Sequence, residues 1–380
     1  MGRLTMKRSY IWSVPTRLFH WLLAFSILTG YLTGDEERLL NLHVAFGAMA
    51  GALLLFRILW GIAGVRYSAF KDFELTPSAL LSYMVNIFNP RRHYAGHNPA
   101  ASWAVILMIV LGLLAVVTGF LAYGIQEGRG VLGFLNSGFF REMELFEALH
   151  EVSANLLMLV IAAHVGGVVL ERLLHKEVGT MGSMANGYKH IEAESVRLNI
   201  FQKLLATVGL GAAVALFIYA VSVPGNSLIA STNAPVDYKQ EHTAFYDECI
   251  ACHTLYPPFL LPKVSWRVMM EDLENHFGDD ASLDEPVRVS ILAYLEKHAA
   301  ENSTKEAAFK GMRGAEEGNT TLIAYTDTPY WKARHREIDP ARFKSKAVKS
   351  RANCKACHLN IEKGIIEDEY IRMPEMEKVR

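Results

Sequence analysis

The sequence predicts an all-α protein: a transmembrane four-helix bundle and a fifth transmembrane helix, followed by a small, mainly helical water-soluble domain. Two observations lead to this fold class. Nearly all long apolar runs lie before residue 225, whereas the remainder is rich in Lys, Glu and Asp, so the two parts suit different solvents. The chain also holds only four cysteines, in two copies of one pattern, which excludes a disulfide-rich scaffold. The net charge of -1 gives no indication of a nucleic-acid partner.

Five segments are apolar over the roughly 20 residues that a helix needs to cross a hydrocarbon core of about 30 Å. They span residues 18–33, 39–63, 103–124, 145–170 and 200–223. The first is short on hydropathy, and we expect it to extend backwards through Ile11 and Trp12 at the membrane interface. It begins only after Arg17 and lacks a small-residue cleavage pattern, so it is predicted to remain as a membrane helix.

Basic residues in the short connections predict the orientation of the bundle. Those on one side are Arg3, Lys7, Arg8, Arg17, Arg66, Lys71, Arg91, Arg92, Arg172, Lys176, Lys189 and Arg197. The connections on the other side carry Asp35, Glu36, Glu37, Arg38, Glu127, Arg129, Arg141, Glu142 and Glu144. We therefore expect a bacterial inner-membrane protein with a cytoplasmic N-terminus. An odd number of crossings would place everything after Pro224 in the periplasm.

Four histidines fall within the predicted membrane helices, where an ionisable side chain is costly and marks a functional site. They are His20, His43, His150 and His164. His150 and His164 are fourteen residues apart, which is about 21 Å along a helix and within roughly 40° of one face. One helix could therefore serve two sites at different depths.

Depth pairs His164 with His20 toward the cytoplasm and His150 with His43 toward the periplasm. Each pair could hold one haem iron from opposite sides, which predicts two b-type haems between the helices. Arg17 and Arg57, together with Arg172, lie near the cytoplasmic ends, where haem propionates need cations. Room for flat macrocycles is expected at Gly30, Gly47, Gly51, Gly112, Gly119, Gly166 and Gly167. The alternatives are histidines that only hydrogen-bond neighbouring helices, or a metal site without thiol or carboxylate ligands.

The two cysteine pairs form Cys-x-x-Cys-His motifs, namely Cys249, Cys252 and His253, and Cys354, Cys357 and His358. In such a motif both thiols bond to the vinyl groups of one haem and the adjacent His ligates its iron. Two covalently bound c-type haems are therefore predicted. A zinc ribbon would place the pairs closer together, and neither zinc nor a thioredoxin-like pair requires the adjacent His.

Each c-type iron needs a sixth ligand, and we expect His276 and His335 to supply them. The stretch 266–278 predicts a helix whose apolar face carries Met269, Leu273 and His276. His335 precedes the second attachment motif and suits that haem. The alternatives are Met269 or Met270 for the first haem, Met373 for the second, and His298 on the inner face of a helix over 287–297.

The predicted domains are a two-haem bundle over 1–195, a fifth membrane helix with linker over 196–237, and a periplasmic two-haem domain over 238–380. The linker, at 224–237, contains Gly, Asn, Ser and Pro and is expected to be a short flexible tether.

The membrane part resembles bacterial cytochrome b561 and the di-haem cytochrome b subunit of nickel-iron hydrogenases over about residues 8–195. The matching residues are Ile-Trp-Ser-Val-Pro-Thr-Arg-Leu-Phe-His-Trp at 11–21, Arg-Ile-Leu-Trp-Gly at 57–61 and Gly-His-Asn-Pro at 96–99. The resemblance implies bis-His ligation by His20, His43, His150 and His164, and electron exchange with membrane quinone. His97 belongs to the third motif, and we interpret it as either structural or near a quinone site.

The C-terminal part resembles the di-haem cytochrome c family over about residues 240–375. The match includes Cys-His-Thr-Leu-Tyr-Pro-Pro at 252–258, His-Phe-Gly-Asp-Asp-Ala-Ser-Leu-Asp at 276–284, His-Arg-Glu at 335–337 and Asn-Cys-Lys-Ala-Cys-His at 353–358. This resemblance implies His/His ligation at both irons and a small soluble periplasmic haem protein as partner.

These sites predict electron transfer between the membrane quinone pool and a periplasmic redox partner, in either direction. The enzyme activity that would accompany it is that of a quinol:cytochrome c-type oxidoreductase. One alternative is the cytochrome anchor of a periplasmic oxidoreductase such as a hydrogenase. Another is direct oxidation of superoxide, against which the acidic periplasmic connections argue mildly.

Overall fold

The structure is a computed structural model that describes residues 8–88, 94–175, 178–316 and 321–375. Five basic residues used above to predict the orientation, Arg3, Lys7, Arg91, Arg92 and Lys176, lie outside these ranges. The described chain is mainly helical and divides into two compact units. Unit 1 comprises Met1–Ala122 and Glu144–Ala230, and unit 2 comprises Tyr123–Met143 and Ser231–Arg380.

Helices of 20 to 30 residues occupy all five segments that the sequence predicts to be apolar. In the membrane part, the helices are α1 (Val14–Thr33), α2 (Leu40–Ala63), α3 (Pro77–Val85), α4 (Pro99–Glu127), α5 (Gly138–Met143), α6 (Leu145–Leu174), α7 (Thr180–Asn186) and α8 (Ile200–Ser222). Four of them, α2, α4, α6 and α8, are long and apolar enough to cross a membrane. The protein is therefore a multi-pass membrane protein with four candidate spans, and α1 does not reach the same apolar content.

The start of α1 differs from the prediction. Ser13 caps the helix by accepting a hydrogen bond from the Thr16 amide, and Pro15 occupies its first turn. Ile11 and Trp12 do not extend the helix, because they lie before the cap, buried against α2 and its neighbours.

The N-terminal segment ends in a short strand, β1 (Arg8–Tyr10), that the sequence analysis did not predict. It pairs antiparallel with β2 (Tyr188–His190), which follows α7. The Ser9 side chain adds a hydrogen bond to the Ile191 carbonyl at 2.8 Å. This pairing fixes the entry to α1 against the connection between α6 and α8.

Helix α2 forms the centre of unit 1 and packs against α1 and α8. Its contact with α4 requires glycine, because a Cβ at Gly51 would lie 2.9 Å from Val116, and one at Gly112 would lie 2.9 Å from Leu54. These two glycines therefore allow α2 and α4 to approach closely. The sequence analysis expected them instead to make room for a macrocycle. A Cβ added at Gly47, Gly166 or Gly167 would have no other atom within 4 Å in the described structure, so these three glycines border open space.

Unit 2 contains short helices around two adjoining apolar clusters. The helices are α9 (Tyr238–Glu241), α10 (Thr243–Ile250), α11 (Lys263–Glu271), α12 (Glu285–Lys297), α13 (Glu306–Glu316), α14 (Pro329–Arg334) and α15 (Pro340–Phe343). The connection between α4 and α6 belongs to this unit: the Thr232 amide donates to the Gly128 carbonyl at 2.8 Å, and the Arg141 guanidinium donates to the Thr304 carbonyl. Arg141 is 2 % exposed.

The predicted flexible tether carries hydrogen bonds along its length. Asn226 donates to the Val223 carbonyl at 2.7 Å, and Asn233 donates to Glu367 Oε1 at 3.1 Å. The Val236 amide donates to the Lys363 carbonyl at 2.9 Å. Each end of the segment therefore bonds within the unit to which it belongs, and the flexibility of the tether remains a prediction.

Candidate functional site

His43 on α2 and His150 on α6 face each other, as the sequence predicts. Their ring centroids are 5.9 Å apart and the rings are nearly perpendicular, at 86°. Nδ1 of His43 donates to the Gly30 carbonyl at 2.8 Å, and Nδ1 of His150 donates to the Ala115 carbonyl at 2.8 Å. Because a carbonyl can only accept, each ring carries its proton on Nδ1 and keeps the Nε2 lone pair for a metal.

The separation of these rings fits one metal ion held between two imidazoles. A nitrogen–metal bond is about 2 Å long, so two such bonds and two ring radii place the centroids roughly 6 Å apart. Gly119 lies beside the pair, since a Cβ there would be 2.9 Å from the His150 ring. The two residues therefore suit axial ligation of a haem iron.

The second predicted pair consists of His20 on α1 and His164, which lies fourteen residues after His150 on α6. Nδ1 of His20 is buried without a hydrogen-bond partner in the described chain, and its ring meets Trp21 edge-on at 5.0 Å. No ring contact joins His20 to His164 among the described residues. Their pairing therefore remains a prediction from depth and spacing.

Two arginines near the predicted cytoplasmic ends, Arg17 and Arg57, each have a buried guanidinium nitrogen. The Arg17 guanidinium donates to the Ala185 carbonyl, but its Nε is buried and unpaired within the described residues, as is Nη1 of Arg57. Arg57 is 5 % exposed and its guanidinium lies 4.8 Å from the Phe70 ring. It follows His43 by fourteen residues on α2, as His164 follows His150 on α6. A buried guanidinium nitrogen requires an acceptor, so both arginines fit carboxylates such as haem propionates.

His97, from the third family motif, does not face another histidine ring in the described structure. Its Nδ1 donates to the Tyr67 carbonyl at 3.2 Å. Its ring packs against Trp12 at 4.9 Å and Phe73 at 4.8 Å. These contacts tie the connection before α4 to the N-terminal segment and favour a structural role.

The first Cys-x-x-Cys-His motif begins at Cys249 in the last turn of α10 and brings His253 opposite His276. Their ring centroids are 6.1 Å apart and nearly parallel, at 19°. His253 donates from Nδ1 to the Thr254 carbonyl at 2.7 Å. This arrangement again matches two ligands on one iron.

His276 does not lie on the helix predicted over 266–278. Helix α11 ends at Glu271, and His276 opens a tight turn in which its amide donates to the Asp279 carbonyl at 2.8 Å. Phe277 and Gly278 occupy the middle of this turn with φ of 53° and 99°. The helix stops before this turn because Asp272, with φ of -125° and ψ of 53°, is outside the helical region, and the left-handed pair then excludes a helix through His276.

The second motif brings His358 opposite His335. Their ring centroids are 6.1 Å apart, at an interplanar angle of 54°. His335 donates from Nδ1 to the Trp331 carbonyl at 2.8 Å and stacks on the Trp331 ring at 4.3 Å. Burial lowers the pKa of His358 to about 4, so its ring stays neutral and able to ligate a metal.

No disulfide joins the four cysteines, and the surroundings of Cys249, Cys354 and Cys357 do not favour a thiolate. Burial raises the pKa of Cys249 to about 12 and that of Cys354 to about 11. A zinc site or a redox-active thiol pair needs thiolates and a lowered pKa. The described residues also contain no group of three or more His, Cys, Asp or Glu that could hold a metal ion.

The alternative sixth ligands are placed elsewhere. Met270 is 4 % exposed and belongs to the apolar core, and Met269 packs at the edge of the same core. The His298 ring lies against Tyr294 at 4.6 Å. Met373 is exposed on the surface.

Sequence reasoning missed two residues that touch the covalent motifs. The Tyr256 ring lies 5.0 Å from His253, and the Glu362 carboxylate reaches both motif regions. Tyr256 stands inside the quoted family motif, but no local pattern singles out Glu362.

Two family models match the chain in succession. Prokaryotic cytochrome b561 matches residues 11–187, and Dihaem cytochrome c matches residues 245–366. The membrane part is similar to the probable Ni/Fe-hydrogenase B-type cytochrome subunit of Rhizobium leguminosarum bv. viciae, with 24% identity over 47% of this chain and 87% of the relative. The probable Ni/Fe-hydrogenase 1 B-type cytochrome subunit of Escherichia coli K12 is 23% identical over 47% of this chain and 90% of its own length.

The C-terminal part is similar to two solved structures. A diheme cytochrome c from Rhodobacter sphaeroides is 38% identical over 35% of this chain and 99% of its own, with a TM-score of 0.30. The diheme cytochrome type c from Shewanella baltica OS155 is 31% identical over 36% of this chain and 95% of its own, with a TM-score of 0.29. The first matching family binds b-type haems and the second c-type haems, which implies electron transfer. The chain therefore contains a cytochrome b561 domain of the kind found in Ni/Fe-hydrogenase B-type cytochromes, fused to a dihaem cytochrome c domain.

Proposed function

We propose that the protein transfers electrons between the membrane quinone pool and a periplasmic redox partner through two b-type and two c-type haems. The observation that carries this proposal is the repeated histidine geometry. His43 with His150, His253 with His276, and His335 with His358 form pairs whose ring centroids are 5.9 to 6.1 Å apart. In each pair at least one Nδ1 donates to a backbone carbonyl, which leaves Nε2 for iron.

Each site then has an assigned set of residues. We assign His276 to the haem attached at Cys249 and Cys252, and His335 to the haem attached at Cys354 and Cys357. His20 and His164 would hold the cytoplasmic b-type haem, with Arg17 and Arg57 at its propionates. Haem iron supplies a one-electron couple when bound. The protein residues would hold each haem and exclude water from the buried positions.

The proposal includes α1 as a fifth membrane helix. Its 20 residues extend over about 30 Å, which equals the thickness of a hydrocarbon core. Phe19 and Phe25 pack against Phe56 and Phe46 of α2, so the two helices run side by side. The exposed face of α1 is apolar and carries Leu18, Trp21, Phe25, Leu28 and Leu32. This surface suits lipid even though His20 and Arg17 lower the average hydropathy of the helix.

A hydrogenase-type anchor is the second candidate, because the relatives of the membrane part are named as Ni/Fe-hydrogenase cytochrome subunits. In that case a larger catalytic subunit would deliver electrons to the haems. The fused c-type domain favours an independent carrier, because it gives the chain its own periplasmic exit. Affinity purification of the full chain from its native membrane distinguishes the two, since only an anchor retains a catalytic subunit.

A pyridine haemochrome spectrum and a quinol assay test the proposal on the full chain in detergent. We expect equal amounts of b-type and c-type haem, and reduction of both types when a reduced quinone analogue is added. Absence of b-type haem would contradict the membrane sites. Reduction of the b-type haems alone, with the c-type haems still oxidised after equilibration, would contradict the proposed path.

A further inference from the structure

The two covalent attachment motifs are joined directly, although about a hundred residues separate them in sequence. The Tyr256 hydroxyl donates to the Ala352 carbonyl. The Thr254 hydroxyl donates to Asn353 Oδ1 at 3.3 Å. The chain that follows His253 therefore lies against the chain that precedes Cys354. We call this contact the motif junction.

One carboxylate bridges both sides of the motif junction. Glu362 Oε1 accepts a hydrogen bond from the Leu255 amide at 3.3 Å and another from Lys355 Nζ at 3.0 Å. Leu255 stands two residues after His253, and Lys355 lies between the two cysteines of the second motif. The Glu362 side chain is 30% exposed, so water screens its charge only in part.

We propose that Glu362 is a positioning residue that holds the two attachment motifs together and lowers the reduction potentials of both c-type haems jointly. This inference rests on the proposed function, which places one haem at each motif. A fixed negative charge favours the more positive, ferric state of a nearby iron. Because Glu362 contacts residues next to both motifs, removal of its charge affects both haems and not one alone.

Lys355 gives the proposal a second, opposite test. Its ammonium group neutralises part of the Glu362 charge in the wild-type protein. Replacing Glu362 with Gln leaves that ammonium without its carboxylate, which favours the ferrous state. Replacing Lys355 with Met leaves the carboxylate without its cation, which favours the ferric state. The two variants therefore shift the potentials in opposite directions.

The experiment is a redox titration of the c-type absorption bands on the full chain in detergent. For Glu362→Gln we expect the reduction equilibrium of both c-type haems to shift toward the ferrous state by roughly three- to tenfold, the size expected for one partly screened charge nearby. For one electron this equals a rise of roughly 30 to 60 mV. Lys355→Met should lower both potentials.

Glu296→Gln is the matched control. Glu296 is 28% exposed and paired with Arg267, so it resembles Glu362 in exposure and in having a cationic partner. It lies on α12 and, within the described residues, forms no hydrogen bond or ion pair with either motif. The potentials of both c-type haems in Glu296→Gln should therefore stay at wild-type values. An equal shift in Glu296→Gln and Glu362→Gln would overturn the proposal in favour of a net-charge effect. A Glu362→Gln shift confined to one haem, or absent, would also overturn it.

Pyridine haemochrome analysis separates failure of this inference from failure of the proposed function. If the wild-type chain lacks two covalent haems, the proposed function itself is wrong. If both haems are present in wild type and variants but the potentials do not move, only the role of Glu362 is wrong. If Glu362→Gln does not incorporate haem, the Lys355→Met variant tests the proposal by itself, and unchanged or raised potentials in it would refute the proposal.

Discussion

Replacing His150 with Ala should remove one of the two b-type haems and leave the c-type haems intact. His150 faces His43 at 5.9 Å between ring centroids, and both rings keep a free Nε2. Without His150, one axial ligand is lost and only His43 remains on that side of the bundle. The other predicted pair, His20 and His164, does not depend on His150. The structure therefore predicts a fall in b-type haem from two to one per chain, while c-type haem stays at two.

The assay is a pyridine haemochrome spectrum, in which the b-type and c-type bands are resolved. The ratio of b-type to c-type haem should fall from 1:1 to 1:2. His97→Ala is the matched control, because His97 is also an imidazole whose Nδ1 donates to a backbone carbonyl, but its ring faces Trp12 and Phe73. It should retain the wild-type ratio. The reasoning is refuted if His150→Ala keeps both b-type haems or if His97→Ala loses one.

Three further predictions concern attachment, stability and topology. Replacing Cys354 and Cys357 together by Ala should halve the haem that resists acid-acetone extraction, and an unchanged amount would contradict covalent attachment at the second motif. Arg141→Met leaves the Thr304 carbonyl without its buried donor and should destabilise unit 2 by about 1–3 kcal/mol, measured by thermal unfolding. The exposed pair of Arg336 with Glu337 should tolerate Arg336→Met without a change in the unfolding midpoint. Protease added to right-side-out membrane vesicles should cleave the C-terminal domain, and protection there would refute a periplasmic location.

The helices over the apolar segments and the facing of His43 with His150 were predictable because they follow from local spacing, whereas the pairing of His20 with His164 stays a prediction. In lipid, an apolar run of about 20 residues is stable as a helix, because a helix satisfies its own backbone hydrogen bonds. All five predicted segments are helices. The fourteen-residue offset along one helix places His150 and His164 on one face whatever the surrounding fold. In the same way, Cys-x-x-Cys-His carries its chemistry within five residues.

Features that depend on distant residues were not predictable. Strands β1 and β2 pair residues 8–10 with 188–190, and neither segment has a strand pattern of its own. The predicted helix through His276 ends already at Glu271, and the left-handed backbone of Phe277 and Gly278 belongs to the turn that places His276 opposite His253. Glu362 bridges segments that are a hundred residues apart, so only the folded domain reveals it.

The side of the membrane on which the c-type domain lies does not depend on whether α1 crosses. The connection between α4 and α6 packs into the same compact unit as residues 231–375, through contacts such as Thr232 with Gly128 and Arg141 with Thr304. Helices α6 and α8 are two further candidate spans, so the chain leaves that side and returns to it before the domain begins. The domain and the connection therefore share one side by packing and by helix parity independently. Whether α1 crosses changes only the location of the N-terminus. The basic residues flanking β1 and β2 favour placing the N-terminus on the side opposite to the C-terminal domain.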